Sequence, residues 1–490
     1  MKAETNRRDL YRKALCLLIP VAGLIFLLWY IKNSTCDVIY SDYIRLVNSY
    51  LPDIYNPDRF FVPDVLTRIP INYLGRIINV ELFGFSITFD RVLGAVSLAL
   101  AAWVFSLYFI RRKLGIIWFC LAMAVMFSLN KWEMLTNGSG WSHFFAFACF
   151  YYHELVFDRV WTGQEKKSDP LRLILLPVFI ILGTAGPYCA IYSVVMILAS
   201  GAGIVRDLCR KKQDRAHRGT KGQERTKAFG KESFRYLVFL LAVLIPLLLY
   251  ILSNSFAVEE HAGATGRSLG ALLADAPSFP VRFLLKSLAG MLVGGEELLS
   301  WISEGKITDF FCYLLGFFVA AGYLWALWLN LRHRIYERTL FPMMLLTGGA
   351  LNHVLIFLSR YIFEKENYAL SSRYALQFQV GILGIILTFA LTVQMKRGIC
   401  TASRIFGAVF CIAILLGNGY TTYREIEKAP YREARFEAMR ELAPLMPHLT
   451  DEEMMEMEPS APDLYEYRKG TDRLRKAFEI LEENHLNVFR

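Results

Sequence analysis

Three short stretches of this sequence concentrate the side chains that chemistry needs. The first is Tyr40-Ser41-Asp42-Tyr43-Ile44-Arg45, where one carboxylate, Asp42, stands between a serine and a tyrosine. The second runs Asn130-Lys131-Trp132-Glu133-Met134-Leu135-Thr136-Asn137-Gly138-Ser139-Gly140-Trp141-Ser142-His143 and is dense in acid, base and amide groups. The third carries Arg360, Glu364, Glu366, Ser371, Ser372, Arg373, Tyr374 and Gln377. Asp42, with Glu133 as a second acid, can take a proton from an incoming hydroxyl, and Arg360 or Arg373 can clamp a phosphate. Arg373 and Gln377 are one helical turn apart and can share a face. Arg68 is a further cation of this kind, and His143 can position an acceptor. Plainer roles compete at each position. A lone exposed Asp is usually only solvated, helix-end arginines reach toward head groups, and Trp132 and Trp141 suit the aromatic belt of a membrane interface.

The elements that must position these groups are membrane spans. Of 490 residues, 55% are hydrophobic and 20% charged, with mean hydropathy +0.35, shifted to the apolar side of soluble proteins. The apolar residues fall into about eleven blocks near the 20 residues that cross a bilayer as a helix: 14–31, 91–110, 114–129, 143–157, 171–182, 187–205, 236–253, 308–331, 340–359, 376–395 and 405–419. Those at 143–157 and 171–182 are short for a full crossing. The run 171–205 is split into a hairpin at Gly183-Thr184-Ala185-Gly186-Pro187. The expected fold is therefore an all-α polytopic membrane protein.

Basic residues orient the spans with the N-terminus inside. The short loops 130–142, 183–186 and 360–375, then outside, hold only 1, 0 and 3 Lys or Arg, whereas 206–235 on the inner side has 11 basic against 4 acidic residues. That basic run reads as a topology determinant touching anionic lipid rather than a nucleic-acid site. The stretch 283–303 contains Lys286, Glu296 and Glu297, which are costly at membrane depth, so it is expected along the outer interface. One cysteine, Cys36, falls outside, which excludes an extracytoplasmic disulfide framework. Nucleotide-phosphate loops, HExxH and GxSxG are absent.

The chain thus keeps three large segments outside: 32–90, 254–307 and 420–490. The first is expected to carry interfacial helices at 42–51 and 63–79, the second with Arg68 and Arg76 off its apolar stripe. The tail 420–490 shows helical patterning at 423–445 and 472–486, with Leu474, Phe478 and Leu481 on one face, and reads as a small helical extracytoplasmic region after a transmembrane domain over 1–419.

A first helix, a long outer loop opening on Ser41-Asp42-Tyr43, some ten further helices and an outer C-terminal region together resemble the GT-C class of integral-membrane glycosyltransferases, in an uncharacterised bacterial branch. The resemblance implies a sugar moved from a polyprenyl-phosphate donor to a cell-envelope glycan or lipid acceptor, on the outer face of the bacterial cytoplasmic membrane. It implies that Asp42 serves as general base for the acceptor hydroxyl, or helps hold a metal, and that basic residues near later outer loops hold the donor phosphate. Many members have adjacent acids where Ser41 and Tyr43 flank a single one. No cofactor is fixed by these residues, and a divalent cation at Asp42 stays open. The rival readings are an envelope polysaccharide polymerase or ligase working through 254–307 (Glu259, Glu260, His261, Arg267, Asp275, Arg282), a lipid-linked glycan transporter, and a scaffold. The nearly uncharged middles of the spans speak against transport.

Overall fold

The computed structural model describes residues 2–51, 53–56, 69–218, 230–254, 264–395, 401–456 and 471–490. Every regular element among them is helical. Among the described residues, nine helical stretches are long and apolar enough to cross a membrane: Asp9–Lys32, Ile87–Arg112, Ile116–Asn137, Gly186–Gln213, Lys231–Ser253, Asp309–Arg332, Phe341–Phe363, Ser372–Gln394 and Thr401–Leu445. The two blocks that the sequence marks as short are the ones missing. The first belongs to a helix of 21 residues, Trp141–Trp161, about 31 Å at 1.5 Å per residue, and its polar content sets it apart: His143, His153, Glu154, Asp158 and Arg159 all lie on it. The second forms a helix, Asp169–Val178, with Pro177 inside, that loosens into a π-helical turn at Phe179–Thr184 before the expected hairpin. A proline cannot donate to the helical ladder, and a wider turn absorbs the mismatch.

Burial sorts these helices. The helix α17 (Ala375–Gln394) is the axis of the bundle, with 94% of its apolar window buried, against 22% for α10 (Lys231–Asn254). On α10 the large side chains Leu241, Ile245, Leu248, Leu249, Ile251 and Leu252 are exposed. A helix that points its leucines outward is solvated by lipid rather than water.

The two ends of the bundle differ. At one end, Asp158 on α7 (Trp141–Trp161) ties three helices together. It pairs with Arg111 and Arg112 at the end of α4 (Ile87–Arg112) and accepts from the Thr339 hydroxyl and the Leu340 and Phe341 amides at the start of α16 (Phe341–Arg360). The other end carries a second apolar core, here called the cap. It packs Val38, Ile39, Tyr43, Ile44, Val47 and Tyr50 against Phe436, Met439, Met446, Leu474, Phe478 and Leu481. The first six surround α2 (Asp42–Tyr50); the last six belong to the C-terminal part of α18 (Thr401–Leu442), the turn after it, and α20 (Thr471–Glu483). The position 419/420 falls inside α18, which runs on without interruption into the cap.

Two sequence expectations change. In α3 (Pro70–Phe83), Arg76 does not face out beside an apolar stripe. It is 1% exposed and ion-paired with Asp90 at 3.6 Å, while Leu74, Ile78, Leu82 and Phe83 point outward. Lipid accepts the apolar face, and the arginine turns inward to the buried Asp90 carboxylate, which neutralises it. The stretch 283–303 is not one helix but two, α12 (Phe279–Ala289) and α13 (Gly295–Ser303). The turn between them is fastened by Asn130 to the Gly290 carbonyl and by Thr421 to the Gly294 amide. All eight described cysteines are free thiols; Cys400 lies outside the described residues.

Candidate functional site

Helix α2 owes its place to the first turn of α4. Asp37 accepts from the Ile87 amide and the Ser86 hydroxyl, supplying a carboxylate at the exposed N–H groups of that helix start. Three residues on, Asp90 accepts from the Tyr43 hydroxyl at 2.6 Å and lies against Arg76 and Asn79. Burial pushes the Tyr43 hydroxyl far above its usual range, the negative Asp90 beside it adding to the effect, so the phenol stays a donor. Asp42 is the neighbour of Tyr43 and is thereby held at the N-terminus of α2.

Lys131 determines where the facing loop begins. Its ammonium is buried and donates to the carbonyls of Val125, Met126 and Ser128, closing the end of α5 (Ile116–Met126). The chain then turns into α6 (Trp132–Asn137). Arg91 holds the far end of α6 through the Thr136 carbonyl and the approach to α2 through the Cys36 carbonyl. Gly138 follows with φ +76°, where a Cβ would meet the Tyr43 hydroxyl at 2.8 Å, so the chain needs glycine here on both counts. As a result Asn137 donates to Asp42 at 3.4 Å and accepts from Ser139 at 2.7 Å. The glycosylation-like tripeptide Asn137-Gly138-Ser139 is buried inside this contact.

These pieces frame a cavity of about 370 Å³ at the cap end of the bundle. Its lining includes Asp42, Glu133, His143, Arg360, Arg373, Tyr374 and Gln377. The candidate acid–base, phosphate-clamping and substrate-positioning residues Asp42, Glu133, His143, Arg360, Arg373, Tyr374 and Gln377 therefore face one space; Arg68 lies outside the described residues. Arg373 precedes α17 in a short 3₁₀ turn, Ser372–Tyr374, and donates through Nε to Glu133. Arg360 ends α16 and lies over the Tyr374 ring, 5.6 Å from its centroid; among the described residues no carboxylate stands within 4.0 Å of its guanidinium. His143 packs against Tyr188, ring centroids 4.2 Å apart and planes tilted by 48°, and its buried Nδ1 has no hydrogen-bond partner among the described residues. The Gln377 side-chain oxygen is likewise buried and unpartnered.

Searches with this sequence match no protein-family model and no curated protein. Among solved structures the chain is similar to an archaeal oligosaccharyltransferase, AglB from Archaeoglobus fulgidus, in complex with an inhibitory peptide and a dolichol-phosphate. That match has 16% identity and a TM-score of 0.43, over 93% of this chain. The chain spans 60% of the length of that structure. By its own helices, the protein is an all-α polytopic membrane protein.

Several lining residues escaped the sequence reading. Arg45 lines the cavity, and its place three positions after Asp42 on a helix was a readable signal. Tyr188, just past the hairpin proline, was not flagged. Glu296 stands behind the cavity wall, accepting from the Trp132 indole at 2.8 Å and contacting the Ser372 hydroxyl at 2.7 Å; only its cost in a membrane had been noticed. The loop residues of the rival reading lie elsewhere. Arg267 pairs with Asp275 and Glu364, and Arg282 with Glu366; neither lines the cavity. Glu259, Glu260 and His261 lie outside the described residues. Among the described residues no three His, Cys, Asp or Glu side chains converge as a metal cage. Asp42 has the Asn137 amide beside it, and Glu133 is paired with Arg373.

Proposed function

We propose that this protein is an integral-membrane glycosyltransferase of the GT-C type, moving a sugar from a polyprenyl-phosphate donor to a glycan or lipid acceptor of the cell envelope. The single observation that carries this reading is the convergence of one lightly held carboxylate and three guanidinium groups on a cavity at one end of a membrane bundle. In this reading Asp42 takes the proton of the acceptor hydroxyl as its oxygen attacks the anomeric carbon. The bond from that carbon to the phosphate oxygen breaks, and Arg360, Arg373 and Arg45 stabilise the charge that collects on the leaving phosphate. Glu133 is the counter-ion that aims Arg373. His143, Tyr188 and Gln377 hold the sugar or the acceptor, and Leu355, Ile356 and Pro187 offer an apolar wall to the first prenyl units.

The cap end would then face the extracytoplasmic side of a bacterial cytoplasmic membrane, with the N-terminus in the cytoplasm. Residues 1–419 would form the transmembrane domain, and 420–490 would close it from outside by covering α2. The test is sugar transfer by the purified protein in lipid, using a panel of polyprenyl-phosphate sugars, for wild type and Asp42→Asn. Transfer that disappears in Asp42→Asn while the variant still binds donor supports the reading. Undiminished transfer removes Asp42 as the base.

A further inference from the structure

Five side chains at and behind the cavity wall form one hydrogen-bonded chain, and its chemistry balances only with a proton added. The Trp132 indole N–H donates to one oxygen of Glu296 at 2.8 Å, and the other oxygen of Glu296 is 2.7 Å from the Ser372 hydroxyl. The same hydroxyl is 3.0 Å from Glu133, whose second oxygen accepts from Arg373 Nε. A serine hydroxyl has one hydrogen to donate, and an ionised carboxylate has none. If both glutamates are charged, one of the two contacts to Ser372 brings lone pairs together. If one is protonated, every contact becomes a hydrogen bond. Glu133 accepts from the Arg373 guanidinium while Glu296 has no cation among its hydrogen-bond partners in this chain, which makes Glu296 the acid.

We propose that Glu296 carries a proton and is a positioning residue: through Ser372 it fixes Glu133, and through Glu133 the direction in which Arg373 faces the cavity. The role given to Arg373 rests on the transferase reading above; the proton on Glu296 does not. Loss of the proton would leave Ser372 able to satisfy one glutamate only, so that Glu133 and Arg373 lose their fixed geometry. The charged and titratable groups around Glu296 are Glu133 and Arg373 on the cavity side, Glu425 and Arg432 on α18, and Tyr30 on α1 (Lys2–Lys32). Burial, and then the negative Glu133, push its carboxyl from the ordinary 4.5 up to about 7.

The experiment is the infrared absorption of protonated carboxyl groups, as a difference spectrum between pH 6 and pH 8, on the full chain in lipid nanodiscs without substrate. Wild type is expected to lose a carboxyl band with a midpoint near 7, and Glu296→Gln, whose amide still donates to Ser372, to lack that band. Glu133→Gln removes the negative neighbour and is expected to lower the midpoint by about one pH unit. A spectrum identical in wild type and Glu296→Gln overturns the proposal, as does a midpoint indifferent to Glu133→Gln. If Glu296→Gln does not fold, Trp132→Phe serves in its place. Losing the indole N–H that stabilises the carboxylate should raise the midpoint, and an unmoved midpoint overturns the proposal. No sugar donor enters this measurement, so failure of the transferase reading would leave its result intact.

Discussion

The two ends of the bundle each gather acids and arginines, and they use them in opposite ways. Asp158 is fully buried and saturated, with two guanidinium partners, a hydroxyl and two backbone amides. The carboxylate itself is fully met, although Arg111 Nε and Nη1 and Arg112 Nε are buried without partners among the described residues, and the cluster locks α4, α7 and α16. At the cap end Asp42 has one long contact from Asn137, Arg360 has an aromatic ring but no carboxylate, and His143 and Gln377 keep unpartnered atoms. Buried polar groups are normally satisfied. What separates the two ends is a cavity: at the cap end the unpartnered atoms of His143 and Gln377 belong to residues lining a space of about 370 Å³. In the proposed reading the saturated carboxylate, Asp158, is structural and the lightly held one, Asp42, does the chemistry.

Four variants, three single and one double, test this contrast. Asp42→Asn should lower transfer by about 10²- to 10⁴-fold, the usual contribution of a general base, with an unchanged melting temperature; an equal loss of stability would make Asp42 another structural acid. Asp158→Ala should do the reverse. It strands two buried cations and should cost about 3–5 kcal/mol of stability, read as a steep fall in melting temperature. Glu296→Gln should flatten a pH dependence. Because the folded carboxyl is raised from 4.5 to about 7, the folded state holds a proton that the unfolded chain has released. Stability from this group is full below 4.5, declines as pH rises through that window, and is gone above about 7. Melting curves of wild type minus Glu296→Gln should show that decline. The smallest effect is expected for Arg267→Ala with Arg282→Ala. Their partners are partly exposed ion pairs, worth about 0–1 kcal/mol, so transfer should change less than about twofold. A large loss would revive the polymerase reading of 254–307.

Much of this site was legible in the sequence for a simple reason. Polar residues in short loops between apolar spans have few places to go, and alternate loops share one end. Asp42, Glu133, His143 and the cluster from Arg360 to Gln377 therefore had to gather at the same end. The facing of α3 was not legible, because lipid and protein core are both apolar and an amphipathic pattern cannot distinguish them. The saturation of Asp158 and the chain from Trp132 to Arg373 were hidden for another reason. They join residues as far apart as 240 positions, and each member looks ordinary alone. Nor could a hydropathy boundary at 419 reveal that α18 continues as a rod into the cap.

The most direct measurement is to locate a bound phosphate. The full chain in nanodiscs, saturated with a polyprenyl phosphate, would be imaged at a resolution that shows the head group, for wild type and Arg360→Ala. The expected result is a phosphate between Arg360 and Arg373, within reach of Asp42, with its occupancy reduced in Arg360→Ala. A phosphate held by Arg267 and Arg282, or anywhere outside this cavity, would contradict the assignment of the cap end as the working end.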